Sequence, residues 1–318
     1  MLPTNTLGEG WVVPADDAAV TAAADLLRGG QIVAIPTETV YGLAADASNA
    51  HAVALVYAAK GRPDFNPLIV HVPDKAAAER LAVFDELAER LATAFWPGPM
   101  TLVLPLREGA PVTKAVTAGL PTIAIRCPAH AVMQAVLTKS RLNLAAPSAN
   151  KSGGISPTRA EHVLASLGGA VPMILDGGPC SAGLESTIVA VRENGWQILR
   201  PGPVTAEMIA ALVGSPSVPV ANTGIEAPGQ LVSHYAPAKP VRLNAETAEP
   251  GEWLIGFGAI AGDDNLSQGS DLNHAAANLF DALHKADASE RHAIAIAPIP
   301  LHGIGEAIND RLARAAAR

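Results

Sequence analysis

The sequence predicts an α/β protein built as two units joined by a linker. Three observations carry this. From residue 31 to residue 213, short apolar runs alternate with segments of helical periodicity. Apolar residues make up 49% of the 318 and charged residues only 16%, a balance that can bury a large core and excludes intrinsic disorder. After Val213 the composition breaks: 214–240 is rich in Pro, Gly, Ser and Ala and has little periodicity. The expected layout is a catalytic-sized domain over 1–213, a linker over 214–240 and a smaller α/β domain over 241–318.

The run at 31–36 (QIVAIP) reads as a buried strand. A helix over 49–60 follows, apolar at Val53, Leu55, Val56 and Ala59; Ser48 or Asn49 can cap it, and Gly61 and Pro63 stop it. The next strand is 68–72 (LIVHV). Leu81, Phe84, Leu87, Ala88, Leu91 and Phe95 then recur at helical spacing until Trp96-Pro97-Gly98-Pro99 breaks the pattern. Strands at 100–106, 122–126, 142–146, 173–175, 187–191 and 197–199, with helices at 129–139, 158–167 and 205–213, complete an open, mixed sheet with flanking helices. Beyond the linker come a strand at 253–257, an amphipathic helix at 274–285, a strand at 292–297 and a closing helix at 305–317.

Composition excludes several function classes. The formal net charge of −8 divides into −3 over 1–211 and −5 over 212–318, so neither unit is a basic module for non-specific nucleic-acid binding. That leaves room for a small basic pocket. Two cysteines, Cys127 and Cys180, are too few for a disulfide scaffold or a structural zinc and read as small buried hydrophobes. The nine histidines do not cluster at ligand spacing, so no metal site built from protein side chains is expected. No apolar stretch precedes the first basic residue, Arg28, and no run approaches the ~18 apolar residues of a membrane span, so a soluble, cytoplasmic protein with no membrane partner is expected. A P-loop is absent. Gly256-Phe257-Gly258 is followed by Gly262, one residue late for G-x-G-x-x-G, and reads as a tight turn. Ser148-Ala149-Asn150-Lys151 matches S-x-x-K, but the companion elements of a serine acyl-enzyme are missing.

Four polar clusters lie at the ends of these strands, where open α/β sheets place ligands: 36–43, 60–68, 147–154 and 184–189. They hold hydroxyls, amides, glycines and two or three cations, with no thiol or strong base. That chemistry suits phosphates and a zwitterion. Each cluster alone also fits a bland role. Thr37 and Thr39 can cap a helix, Lys60 and Arg62 can sit at a solvated helix C-terminus, and 148–154 can be a plain turn.

Taken in order, PTETVYGL, KGRPDFNPLIVHV, FWPGPMTLVL, IAIRCP, APSANKSGGISPT, GLESTIV and ILRPG resemble the YrdC-domain family of L-threonylcarbamoyladenylate synthases, over roughly residues 11–213. The segments 228–237 (PGQLVSHYAP) and 305–312 (GEAINDRL) resemble its two-domain version. The resemblance implies a YrdC-like open, mixed, twisted sheet with flanking helices, plus a smaller C-terminal Rossmann-like α/β domain. It implies a nucleotidyltransferase that makes L-threonylcarbamoyl-AMP from L-threonine, bicarbonate and ATP with release of pyrophosphate. A downstream threonylcarbamoyl-transferase complex then modifies tRNA beside the anticodon, so tRNA is an indirect partner. By motif, Thr39, His71, Arg126, Ala146 and Ser186 are expected at threonine, with Arg126 gripping the carboxylate. Lys60, Arg62, Asn66, Thr122, Ser148, Asn150, Ser156, Arg200 and Tyr235 are expected at ATP, with Lys60 and Arg62 stabilising charge and no protein nucleophile. Mg²⁺ is expected to arrive with ATP, and His234-Tyr235 to close over the nucleotide as a lid. Two rival readings remain beside it: an RNA-binding module without turnover, and a carbamoyltransferase acting on another amine.

Overall fold

The structure is a computed structural model and describes residues 11–63, 65–193, 195–216, 226–228 and 234–317. Asp64, most of the linker and the stretch 229–233 of the linker motif lie outside the described residues. In chain order the first unit consists of β1 (Trp11–Pro14), α1 (Asp17–Arg28), β2 (Val33–Ile35), β3 (Gly42–Asp46), α2 (Ala50–Lys60), β4 (Ile69–His71), α3 (Lys75–Glu79), α4 (Glu86–Phe95), β5 (Met100–Pro105), α5 (Lys114–Thr117), β6 (Thr122–Arg126), α6 (Ala131–Ser140), β7 (Leu144–Ala145), α7 (Ala160–Leu167), β8 (Met173–Asp176), β9 (Thr187–Arg192), β10 (Gly195–Arg200) and α8 (Ala206–Val213). The strands form one ten-stranded sheet in the order β1-β8-β2-β3-β7-β4-β6-β5-β9-β10. It is mixed: β4 pairs parallel with β6, and β5 with β9, while β3, β7 and β10 run antiparallel to their neighbours.

Strand alternation divides the sheet's centre into two faces. Val70, Ile125, Leu102, Leu104 and Val189 point to one side and join Val53, Leu81, Leu91 and Ile209 in the main core. Ile69 is registered with Ala124, and His71 with Arg126, so these four share the opposite face. There the apolar cover is thinner: Ile69, Val103, Ala124, Ile188 and Ala190 pack with Ala227 of the linker.

The second unit holds β11 (Val241–Arg242), β12 (Glu252–Gly256), β13 (Asp264–Asn265), α9 (Leu272–Ala288), β14 (Ala293–Ile296) and α10 (Gly305–Ala316). Its sheet, in the order β11-β14-β12-β13, is parallel throughout, as in a Rossmann-like layer. Its core does not stop at its own elements. Val40, Ile155 and Leu184 of the first unit and Tyr235 of the linker pack with Leu279, Phe280, Leu283, Ile308 and Leu312. Gly183 shows how close the approach is: it sits at φ +67, and a Cβ there would lie 2.5 Å from the Ala277 backbone on α9.

Several elements differ from expectation. The helical spacing over 81–95 begins before its helix does: α3 ends at Glu79, and α4 starts only at Glu86, where the Asp85 carboxylate accepts from Ala88 N at 2.7 Å. Leu81 and Phe84 keep that spacing from outside a helix, packed in the main core beside Ala82, which bridges to Leu106 at the strand's end. Gly42–Asp46, which overlaps the polar cluster at 36–43 and falls in no expected element, is strand β3, and β1 with α1 precede the first expected strand. Among the described residues no helix is long and apolar enough to cross a membrane.

Candidate active site

The second face of the sheet carries a cavity of about 50 Å³ between the first unit and the linker. Alternation delivers His71 and Arg126 to it from β4 and β6. The loop between β2 and β3 adds Thr37 and Thr39. It is stiffened by Thr37 Oγ1, which accepts from the amides of Thr39 and Val40 and donates to Val40 O at 2.6 Å. The turn after β7 adds Ala146 and Ser148, and the loop before β9 adds Glu185 and Ser186. Arg200 is aimed by an irregularity in the β9–β10 register: Ile198 opposes Val189, but Arg200 opposes Ile188, the next residue along. Gly202 lets the following turn close on this loop, since a Cβ there would lie 2.5 Å from Thr187 N. Arg62, Pro228, His234 and Tyr235 complete the lining.

Arg126 is almost fully engaged by protein. Nε donates to Gly98 O at 3.1 Å, Nη1 donates to Thr39 Oγ1 at 2.8 Å, and Nη2 lies 2.7 Å from Glu38 Oε1. A guanidinium has five N–H groups, so the expected two-bond grip on a carboxylate has to use the remaining hydrogens of the two Nη atoms. Burial alone would raise the Glu38 carboxyl, but Arg126 and the Ala129 amide hold it below the usual range. Burial, then the Arg126 charge, push His71 down to about 3, so its ring is neutral; its Nδ1 has no hydrogen-bond partner. Ser186 Oγ is 2.7 Å from Thr101 Oγ1, and Arg200 donates from Nε and Nη2 to Ser186 O at 3.1 and 2.9 Å.

Thr39, His71, Arg126, Ala146 and Ser186 therefore line one cavity together with Arg62, Ser148, Arg200 and Tyr235. Lys60, Asn66, Thr122, Asn150 and Ser156 do not line it. Lys60 is buried in the wall: Nζ donates to Ser148 O at 2.5 Å and to Asn150 O, and burial, then Arg62, lower its pKa well below the ordinary value. It braces the turn from within the wall. The Asn150 side-chain amide closes the same turn onto Lys151 O and Gly154 O, and Asn66 O accepts from Arg62 Nε at 3.3 Å. The amides of Ala149, Lys151, Ser152 and Gly154 all donate within the protein, which narrows the expectation that this turn offers amides to a phosphate. Thr122 shares the face of Arg126 but lies four residues along β6, at the far end of the strand. Ser156 Oγ donates to Glu185 Oε1.

The motifs contained functional-looking residues with no assigned role. Glu38 and Glu185 sit inside two of the quoted clusters, and only their arginine partners in space reveal what they do. Arg311 lies inside the quoted 305–312 segment with no role assigned to it; tertiary packing brings it to Glu185.

A mixed sheet with a buried, cationic cavity on one face, covered by a linker and backed by a parallel-sheet domain, defines a two-domain enzyme of the YrdC fold. The comparisons with known proteins agree. The family model described as "Telomere recombination" matches residues 25–202, and that of the "Threonylcarbamoyl-AMP synthase, C-terminal domain" matches residues 204–317. A Bacillus subtilis threonylcarbamoyl-AMP synthase is 40% identical, covering 95% of this chain and 94% of its own. A crystal structure of Pyrococcus abyssi Sua5 complexed with L-threonine superimposes with a TM-score of 0.87 at 35% identity, covering 98% of each chain. A double variant of that protein, with a histidine and a tyrosine replaced by alanine, superimposes at 0.88, with 34% identity and 96% of each chain covered. The chain belongs to the threonylcarbamoyl-AMP synthase family.

Proposed function

We propose that this cavity joins L-threonine, bicarbonate and ATP into L-threonylcarbamoyl-AMP and releases pyrophosphate. The observation that carries the reading is the company kept by Arg126. Thr39, His71, Ser186 and two further arginines, Arg62 and Arg200, line the same cavity, with no thiol and no serine–base pair among the described lining residues. Such a site holds and neutralises; it does not attack. The threonine amine adds to bicarbonate to give a carbamate with loss of water, and the carbamate oxygen displaces pyrophosphate from the α-phosphorus of ATP. Neither step needs a protein nucleophile, so catalysis is positioning and charge stabilisation.

In this reading Arg126 and Thr39 hold the threonine carboxylate, and Ser186 and neutral His71 face the rest of the amino acid. Arg62 and Arg200 face the phosphates. Lys60, Asn66, Asn150 and Ser156 shape the nucleotide side from behind, and Thr122 extends it along β6. The donor set fits a magnesium ion carried by ATP: Glu185, the lining carboxylate, is already taken by Ser156 and Arg311. Such an ion, held by phosphates and water, neutralises polyphosphate charge. The linker acts as a lid. With Tyr235 and His234 in place, about 50 Å³ has room for a few waters and not for ATP, so the linker lifts to admit it. The product passes to a downstream threonylcarbamoyl transferase acting on tRNA, in the cytoplasm.

Pyrophosphate release measured with each substrate omitted in turn tests this. Full turnover requires threonine and bicarbonate together. Full turnover with threonine alone would mean simple amino-acid activation. Turnover with other amines but not threonine would mean a different carbamoyltransferase, and salt-sensitive RNA retention without turnover would mean a binding module.

A further inference from the structure

Among the described residues, the most deeply buried charge does not come from the first unit. Arg311, on α10 of the C-terminal unit, has 0% exposure. Its guanidinium reaches three other parts of the molecule. Nε donates to Glu185 Oε2 at 2.8 Å, and Nη2 donates to Pro201 O at 3.0 Å in the turn after β10. The third contact is a face: the guanidinium carbon lies 5.0 Å from the centroid of the Tyr235 ring. Nη1 is held at home by Asp310 Oδ2 at 2.6 Å, and Asp310 is itself fixed by Arg314. A buried arginine is tolerated only when its donors are satisfied, and here they are satisfied across the interface between the two units.

Each contact leads into the cavity. Glu185 precedes Ser186, and its other oxygen accepts from Ser156. Pro201 follows Arg200, which grips Ser186 O, and Gly202 packs against the 185–187 backbone. Tyr235 lines the cavity at φ +62, a left-handed conformation that is costly for a tyrosine and has to be held by its surroundings. Those surroundings are Arg311 on one side, His234 edge-on at 4.1 Å and Phe280 of α9 at 5.7 Å.

We infer that Arg311 is a positioning residue of the active site, supplied by the C-terminal unit: its planar fork fixes the Glu185–Ser186 loop while its face holds Tyr235 in the closed arrangement. This rests on the proposed function only for what the closed site does, not for the contacts themselves. Lysine cannot replace the fork, because a single ammonium cannot serve Glu185, Pro201 O and the ring together.

The test uses the full chain as Arg311→Lys, which keeps the buried charge beside Glu185, and as Arg311→Met, which removes it. Pyrophosphate release and amide hydrogen exchange are measured on both beside the unaltered protein. In Arg311→Lys, kcat falls about tenfold, the size expected for losing charge-assisted bonds. The threonine KM stays within about threefold, because Arg126 and Thr39 keep their contacts. Exchange quickens at 183–187 and 234–237 and stays unchanged in α1 and β12. Arg311→Met shows the same pattern more strongly, or unfolds; the lysine variant decides in either case. Unchanged kcat and unchanged exchange at both segments in Arg311→Lys would overturn the inference. So would exchange that quickens across the whole C-terminal unit with kcat intact, since that marks a domain anchor. If the unaltered protein gives no threonine-dependent pyrophosphate, the proposed function fails, and the exchange results still decide the role of Arg311.

Discussion

Arg126 meets two demands at once. It faces the cavity, and it neutralises Glu38, which is buried 2.7 Å away. Truncating it to alanine therefore strands a carboxylate in the core, at a cost of about 3–5 kcal/mol in stability. Arg126→Lys is the cleaner probe: it keeps the charge beside Glu38 and loses the fork. Its threonine KM rises about 10-fold or more, as losing a charge-assisted bond requires, while its ATP KM changes little. An unchanged threonine KM in the folded variant would remove Arg126 from substrate binding. The buried histidines set a pH dependence. Burial lowers His71, His162 and His234 to about 3, from 6.5. Between those values the unfolded chain binds more protons than the folded one, so stability rises with pH and is lost as pH falls below about 6.5. Each histidine contributes a slope of about 1.4 kcal/mol per pH unit. Urea midpoints at pH 7 and pH 5.5 should drop less in His71→Gln than in the unaltered protein; equal drops would mean that His71 is not buried neutral. At this scale the motifs brought Thr39, His71, Arg126, Ala146 and Ser186 to one cavity. They put Lys60 at the phosphates, and could not show that its ammonium is buried in the wall against two carbonyls.

Among the elements, the linker carries the sharpest expectation. Tyr235 is 1% exposed, and Ala236 N donates to Gly153 O at 2.8 Å, which ties the linker to the turn that Lys60 braces. Protease cleavage within 214–240 should slow when ATP and threonine are both added, and Tyr235→Ala should lower turnover without unfolding the protein. Cleavage at the same rate with and without substrates, together with normal turnover in Tyr235→Ala, would leave Tyr235 a tether. Buried central strands such as β4 and β6 were legible because continuous apolar runs are what two-sided burial demands. β3 was not, because Gly42–Asp46 (GLAAD) has no β-branched residue and owes its strand to pairing with β2 and β7. The late start of α4 was hidden for the converse reason: Leu81 and Phe84 pack in the main core at helical spacing without being in a helix.

On the scale of the whole molecule, the two units share a core and a charge network, so the second unit backs a cavity that the first unit and the linker line. Composition divided the chain at Val213, where α8 ends, and at 240, before β11 opens at Val241. It could not show that α9 and α10 reach back to the first unit, because a packed interface leaves no periodicity of its own. In this cavity a carbamate of threonine is built and linked to AMP. The most direct measurement is the mass of the nucleotide product made from ATP, threonine and ¹³C-bicarbonate. The account predicts threonylcarbamoyl-AMP carrying the label, absent when either threonine or bicarbonate is left out. An unlabelled threonyl adenylate, or no adenylate of threonine at all, would contradict it.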